Sequence, residues 1–292
     1  MQPAFAYWDY IQALLIFTPL SFALLWIAYT RGFFSLGPSR TLTKQNLSLK
    51  SVGAIFAIYL ACTVGVASVF AKLIHTIYSF SKTSEPPLLM SWLQLFVFAI
   101  TILFFVLYCR TLDPTLIKKI WKNRSLPNAK PIAWDIVMGV ATWFISFPLV
   151  VVVGQLADLL LAIFFNFESY EQVAVRYLKT AMPSTGMFTI ALITILAAAP
   201  LIEEFLFRGI LQTYFKRFVP IKGAIILSAF CFALFHYAPS QGIGNLSLFA
   251  SLFTFALFLG FIYERQNSLF ASIALHMTFN AMSTFRILFM PE

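Results

Sequence analysis

Eight runs of mostly apolar residues, most of them about 20 long, recur along this chain, and no other feature constrains its fold as strongly. An α-helix rises about 1.5 Å per residue, so about 20 residues cross the roughly 30 Å hydrocarbon core of a bilayer. The runs fall near residues 10–30, 52–73, 89–108, 136–164, 187–207, 224–237, 246–263 and 269–290, the fourth long and the sixth short. The predicted fold is therefore all-α, a polytopic membrane helical bundle of about eight transmembrane helices. Composition agrees, with 60% of the 292 residues apolar, 34 of them Phe, and only 11% charged, against about 25% charged in an ordinary soluble domain. Soluble, disordered and collagen-like chains are excluded. Three scattered cysteines, Cys62, Cys109 and Cys231, make no paired disulfide framework and read as buried apolar side chains.

The formal net charge of +9 raises the question of nucleic acid, and the positions of the basic residues answer it. They lie between the apolar runs. About 14 of the 20 Lys and Arg follow odd-numbered runs, including Arg110, Lys118, Lys119, Lys122, Arg124 and Lys130, as the positive-inside rule expects of cytoplasmic loops. Both termini are then outside, the partner is the lipid bilayer, and no nucleic acid is expected. The basic stretch 110–130 is a topology signal that could also hold anionic headgroups. Residues 170–179, YEQVAVRYLK, suit an interfacial helix or a plain loop equally. The first ten residues lack the basic segment of a cleavable signal peptide.

Ionisable groups inside spans are costly, on the order of 2.5 to 3.5 kcal/mol each, so each one needs a reason. The fifth run contains Glu203, Glu204 and Arg208. At about 100° per residue, Glu204 and Arg208 lie about 40° apart around a helix and Glu203 and Arg208 about 140°. Arg208 can neutralise Glu204, which leaves Glu203 facing elsewhere as a candidate proton acceptor. Pro200 should loosen the same helix one turn earlier. Two of the three histidines also sit in apolar runs: Phe232 precedes His236 by four residues, and His276 precedes Asn280 by four. Measured from the nearest cytoplasmic basic residue at about 1.5 Å per residue, Glu203, His236 and His276 lie about 20, 21 and 17 Å deep, so the three can meet at one level. His75 reads as interfacial, and Asp158 with Gln155 as a helix-packing or outer-mouth pair.

One Glu, two His and an Asn in a partly wet membrane cavity suit amide hydrolysis. Glu203 and His236 would hold and deprotonate a water, while His276 and Asn280 donate to the oxyanion. Alternatively, Glu203, His236 and His276 would ligate a divalent metal such as Zn²⁺ that activates the water. Other intramembrane proteases lack their signatures here: there is no HExxH, no GxSxG and no GxGD, and the nearest approach to the last has Asn245 where an acid is required.

These residues resemble a known family. EEFLFR at 203–208 looks like the EExxxR motif of the CAAX prenyl protease and bacteriocin-processing family (CPBP, or Abi), FALFH at 232–236 like its FxxxH motif, and HMTFN at 276–280 like its HxxxN motif. The three occur in order over about the last third of the chain. The resemblance implies a hydrolase, with residues 1–134 as N-terminal transmembrane helices and basic loop and 135–292 as the catalytic helical core. It implies Glu203 as the catalytic carboxylate, His236 as a partner in activating water, His276 and Asn280 on the oxyanion, and Glu204, Arg208 and Phe232 in support. Metal or glutamate-activated water stays open. The implied substrate is a membrane-associated protein or peptide, prenylated as in eukaryotic relatives or unmodified as in many bacterial ones. A bacterial inner membrane is the default location, and the endoplasmic reticulum its eukaryotic counterpart. Two other classes stand beside this reading: a transporter or scaffold that uses Glu and His as an ion path, and a non-catalytic immunity or binding homologue.

Overall fold

The computed structural model describes residues 7–36, 47–80, 87–124, 130–166 and 172–289. Arg40, Lys44, Lys82, Tyr170, Glu171 and Met290, which contribute to the expected topology and span ends, lie outside these residues. The described chain forms ten helices: α1 Trp8–Thr30, α2 Leu49–Phe80, α3 Pro87–Cys109, α4 Pro114–Trp121, α5 Ile132–Phe165, α6 Val173–Ala181, α7 Thr185–Phe215, α8 Ile221–Phe235, α9 Asn245–Gln266 and α10 Leu269–Phe289. Among the described residues, the only extended pairing is an isolated bridge between Lys122 and Ser268.

Six of these stretches are long and apolar enough to cross a membrane: α1, α2, α3, α5, α7, and α9 together with the 3₁₀ turn Pro239–Gly244 that precedes it. The protein is an integral, multi-pass membrane protein. The other two expected spans differ from these six. Helix α8 has only 15 residues, and α10, with 21, carries His276, Asn280 and Arg286, which dilute its apolar character.

Two short helices join the long ones. Asp113 caps α4 by accepting from the Thr115 N–H at 2.8 Å, and Pro114 takes the first helical position, where a missing N–H costs nothing. Leu116 and Ile120, one turn apart, are buried, so the basic stretch is anchored by its apolar face. Lys122 departs from its expected role at the membrane surface. Its ammonium is 2.6 Å from Asp135 Oδ2, with side-chain exposures of 6% and 0%, and the Asn123 N–H donates to the Asn267 carbonyl at 3.0 Å. The ion pair ties the end of α4 to the start of α5, and the backbone bond ties it to the turn between α9 and α10. Residues 173–181 form a helix rather than a loop, burying Leu178 and Ala181.

Helix α5 packs against α1, α9 and α10. Without a strong hydrophobic drive between helices in lipid, close approach rests on small residues. A Cβ on Gly139 would run into the backbone carbonyl of Ala271 and lie 2.8 Å from the Ala274 Cβ, and one on Gly154 would lie 2.6 Å from Ser251 Oγ. Helix α7 is in turn locked to α9: Gln212 Nε2 donates to the Gly260 carbonyl at 3.1 Å and to Glu264 Oε1 at 2.9 Å, and Lys216 reaches the same carboxylate at 2.8 Å. Gly139→Val is expected to lower stability by about 1 to 3 kcal/mol through overpacking between α5 and α10, read as a lower midpoint of thermal unfolding in detergent. An unchanged midpoint would contradict this packing.

Candidate active site

Helix α7 carries two carboxylates on a stretch whose backbone departs from α geometry on both sides. A π-helical turn, Thr194–Ala198, precedes the α-helical stretch Ala199–Glu204, and a longer π segment, Phe205–Gln212, follows it. Pro200 has no N–H to continue the ladder, and the loosening expected there takes the form of the first π turn. The second widens the helix around Arg208, where Ser228 Oγ on α8 donates to the Phe207 carbonyl at 2.8 Å.

Glu204 and Arg208 form the expected i, i+4 pair, Nη1 to Oε1 at 3.0 Å, with both side chains fully buried. Arg208 also donates to the Ala256 carbonyl at 3.3 Å and stacks its guanidinium 4.4 Å from the centre of the Phe232 ring. The same Glu204 oxygen takes a second bond, from His276 Nδ1 at 2.8 Å. A carboxylate shared with a guanidinium acts only as an acceptor, so Nδ1 of His276 is the donor and Nε2 is left facing the site.

His236 is oriented in a parallel way by the backbone. It ends α8 as its C-cap, and its Nδ1 lies 2.8 Å from the Phe232 carbonyl, one of the carbonyls that a helix C-terminus leaves without a partner. A carbonyl only accepts, so Nδ1 donates and Nε2 turns inward. Phe232 packs its ring 4.5 Å from the His236 ring and 6.0 Å from the His276 ring. The loop that follows is held by Asn245, which accepts from the Ala238 N–H at 2.9 Å and donates to the carbonyls of Ala238 and Gly242 at 2.8 Å each.

Both inward nitrogens meet Glu203, the carboxylate that faces away from Arg208. Glu203 Oε2 lies 3.6 Å from His236 Nε2 and 3.9 Å from His276 Nε2, and its side chain is 18% exposed against 0% for Glu204. These gaps exceed a direct hydrogen bond and lie within the reach of one bridging water. Three helices thus deliver Glu203, His236 and His276 to one point. Asn280, one turn beyond His276, instead spends an amide hydrogen on the backbone of α7, Nδ2 to the Ile195 carbonyl at 2.8 Å. One carboxylate and two imidazoles are donors that suit a divalent ion. Among the described residues, however, no three such side chains are grouped so as to hold one.

Several neighbours escaped the sequence. Phe255 of α9 sets its ring edge-on to His276 at 5.4 Å. Tyr59 of α2 packs on Phe235, next to His236, and lines a cavity of about 350 Å³ between α2 and α3 with Thr63, Gln94 and Phe98. Neither residue carries a local signal. Pro200 does imply a carbonyl without its helical donor, but in an α register that carbonyl is that of Leu196, so the Ile195 contact is not legible in the sequence either.

Residues 185–282 match the family model of the type II CAAX prenyl endopeptidase Rce1-like proteins. The Rce1-like segment covers about a third of the chain, from the first residue of α7 into α10, and contains all three motifs. This agrees with the kinship read from those motifs and supports an endopeptidase that works within the membrane. No curated protein and no solved structure matches the chain.

In the Rce1-like segment, the two adjacent carboxylates make opposite predictions. Glu204→Gln removes the anion bonded to the buried Arg208 and is expected to cost about 3 kcal/mol of stability. Glu203→Gln, at a partly exposed site whose imidazole neighbours lie beyond direct hydrogen-bond distance at 3.6 and 3.9 Å, is expected to cost less than about 1 kcal/mol. Thermal unfolding of the two purified variants checks the order; a larger loss for Glu203→Gln would contradict it.

Proposed function

We propose that this protein is an intramembrane endopeptidase that hydrolyses a peptide bond in a membrane-associated protein or peptide, using a water activated by Glu203. The observation that carries the proposal is the approach of Glu203 Oε2 to the inward nitrogens of His236 and His276 at 3.6 and 3.9 Å.

With Nδ1–H of His236 committed to the Phe232 carbonyl, Nε2 of His236 and the Glu203 carboxylate are both acceptors, so a water between them donates one hydrogen to each. That fixes the water with a lone pair directed outward. Glu203 takes its proton as the oxygen attacks the scissile carbonyl carbon, and the carbonyl electron pair moves onto its oxygen. His276 Nε2, when it carries a proton, donates to this oxyanion. Collapse of the tetrahedral intermediate breaks the C–N bond. The leaving amine receives the proton held by Glu203, which yields a carboxylic acid and an amine and restores the site. Phe232 and Phe255 pack against the imidazoles, and Arg208 holds Glu204 in place.

The substrate class follows from the membrane setting and the matched family, and a prenylated C-terminal peptide is the first substrate to try. The test uses purified protein in liposomes with a metal chelator present, offered a prenylated and an unmodified membrane-associated peptide. Cleavage of at least one is expected, falling by about 10³-fold in Glu203→Ala. Cleavage of neither by well-folded protein, or activity abolished by the chelator and restored by Zn²⁺, would overturn the proposal as stated.

A further inference from the structure

Asn280 occupies a position where a direct role on the oxyanion is expected, yet an amide hydrogen of its side chain is already committed to the backbone of α7. The reason lies in the hydrogen-bond register of that helix. At the first π turn the Ala199 N–H donates to the Thr194 carbonyl, five residues back. One residue on in the same register, the donor to the Ile195 carbonyl would be the nitrogen of residue 200. Residue 200 is Pro and has no hydrogen to give. A carbonyl left bare inside a membrane helix is costly, because lipid offers no replacement donor.

We infer that Asn280 acts on the reaction through α7, as a positioning residue that supplies to the Ile195 carbonyl the hydrogen bond Pro200 cannot make. The assignment of its amide is chemically forced, since a side-chain oxygen 2.8 Å from that carbonyl would set two acceptors together. Helix α10 then grips α7 on both sides of the proline. Asn280 holds Ile195 before it, and His276, one turn earlier on the same face of α10, holds Glu204 after it. Glu203 sits inside this splint, three residues past Pro200. A helix interrupted by proline would otherwise be free to bend at that point, and a shift of about 1 Å in a general base is enough to cost about a hundredfold in rate.

The inference rests on the endopeptidase reading for its kinetic consequence only. The test is a cycle of parent, Asn280→Ala, Pro200→Ala and the double variant, each followed by melting temperature in detergent and by kcat and KM on a cleaved peptide. Pro200→Ala restores an N–H that can reach the Ile195 carbonyl, and Pro200→Ser serves the same purpose should the alanine variant fail to accumulate. In the parent, Asn280→Ala is expected to lower the melting temperature by several degrees and kcat by about tenfold or more, with KM nearly unchanged. In the Pro200→Ala background both losses should shrink to less than about half. Additive melting losses would overturn the inference whether or not the protein is a protease. Coupled melting losses with an undiminished kcat loss would also overturn it, because Asn280 would then act on the substrate directly.

Discussion

A fully buried carboxylate holds this site together. Glu204 sits in a membrane interior where an isolated charge is scarcely tolerated, so it requires partners of the opposite kind at hydrogen-bond distance. Arg208 supplies the neutralising charge from its own helix, and His276 adds a bond from α10. The same oxygen therefore fixes both the turn of α7 and the orientation of the His276 ring. Removing Arg208 would strand the anion, and removing Glu204 would strand the cation and let the imidazole turn.

Two neighbouring glutamates thus divide the work. Glu204 is neutralised and out of reach of water. Glu203, rotated about 100° around the helix, lies in the partly open space toward which His236 and His276 point. The supports of the two imidazoles differ, a backbone carbonyl for His236 and a carboxylate for His276. In both rings Nδ1 donates, which leaves Nε2 toward Glu203. The π segments on either side of the glutamates give α7 a path that an unbroken α-helix would not follow, and contacts from α8 and α10 satisfy the backbone groups involved.

Much of this was legible in the chain itself. The eight apolar runs correspond to eight of the ten described helices, six of them of spanning length and apolarity, because that length is imposed by the bilayer and shows directly in hydropathy. The Glu204–Arg208 pair and the separate direction of Glu203 follow from helical periodicity alone, and residue counts were enough to let Glu203, His236 and His276 meet. What stayed hidden depends on how helices cross. Helix α4, at eight residues, is too short for periodicity to declare itself. Lys122 looked like a surface charge because its partner, Asp135, is 13 residues away, beyond the reach of any helical spacing. Nothing near Phe255 or Tyr59 marks them as neighbours of the histidines. Asn280 matched a motif, but its bond to Ile195 becomes visible only when the carbonyl that Pro200 strands is followed to its donor.

The central claim is that Glu203 carries out proteolysis on membrane-associated substrates in the cell. Its most direct test is a comparison of protein and peptide termini in host cells carrying either the native protein or an equally abundant Glu203→Ala variant. The account predicts a defined set of new termini on membrane-associated proteins or peptides that is present with the native protein and absent with the variant. Identical termini in the two strains, at equal protein levels, would contradict it.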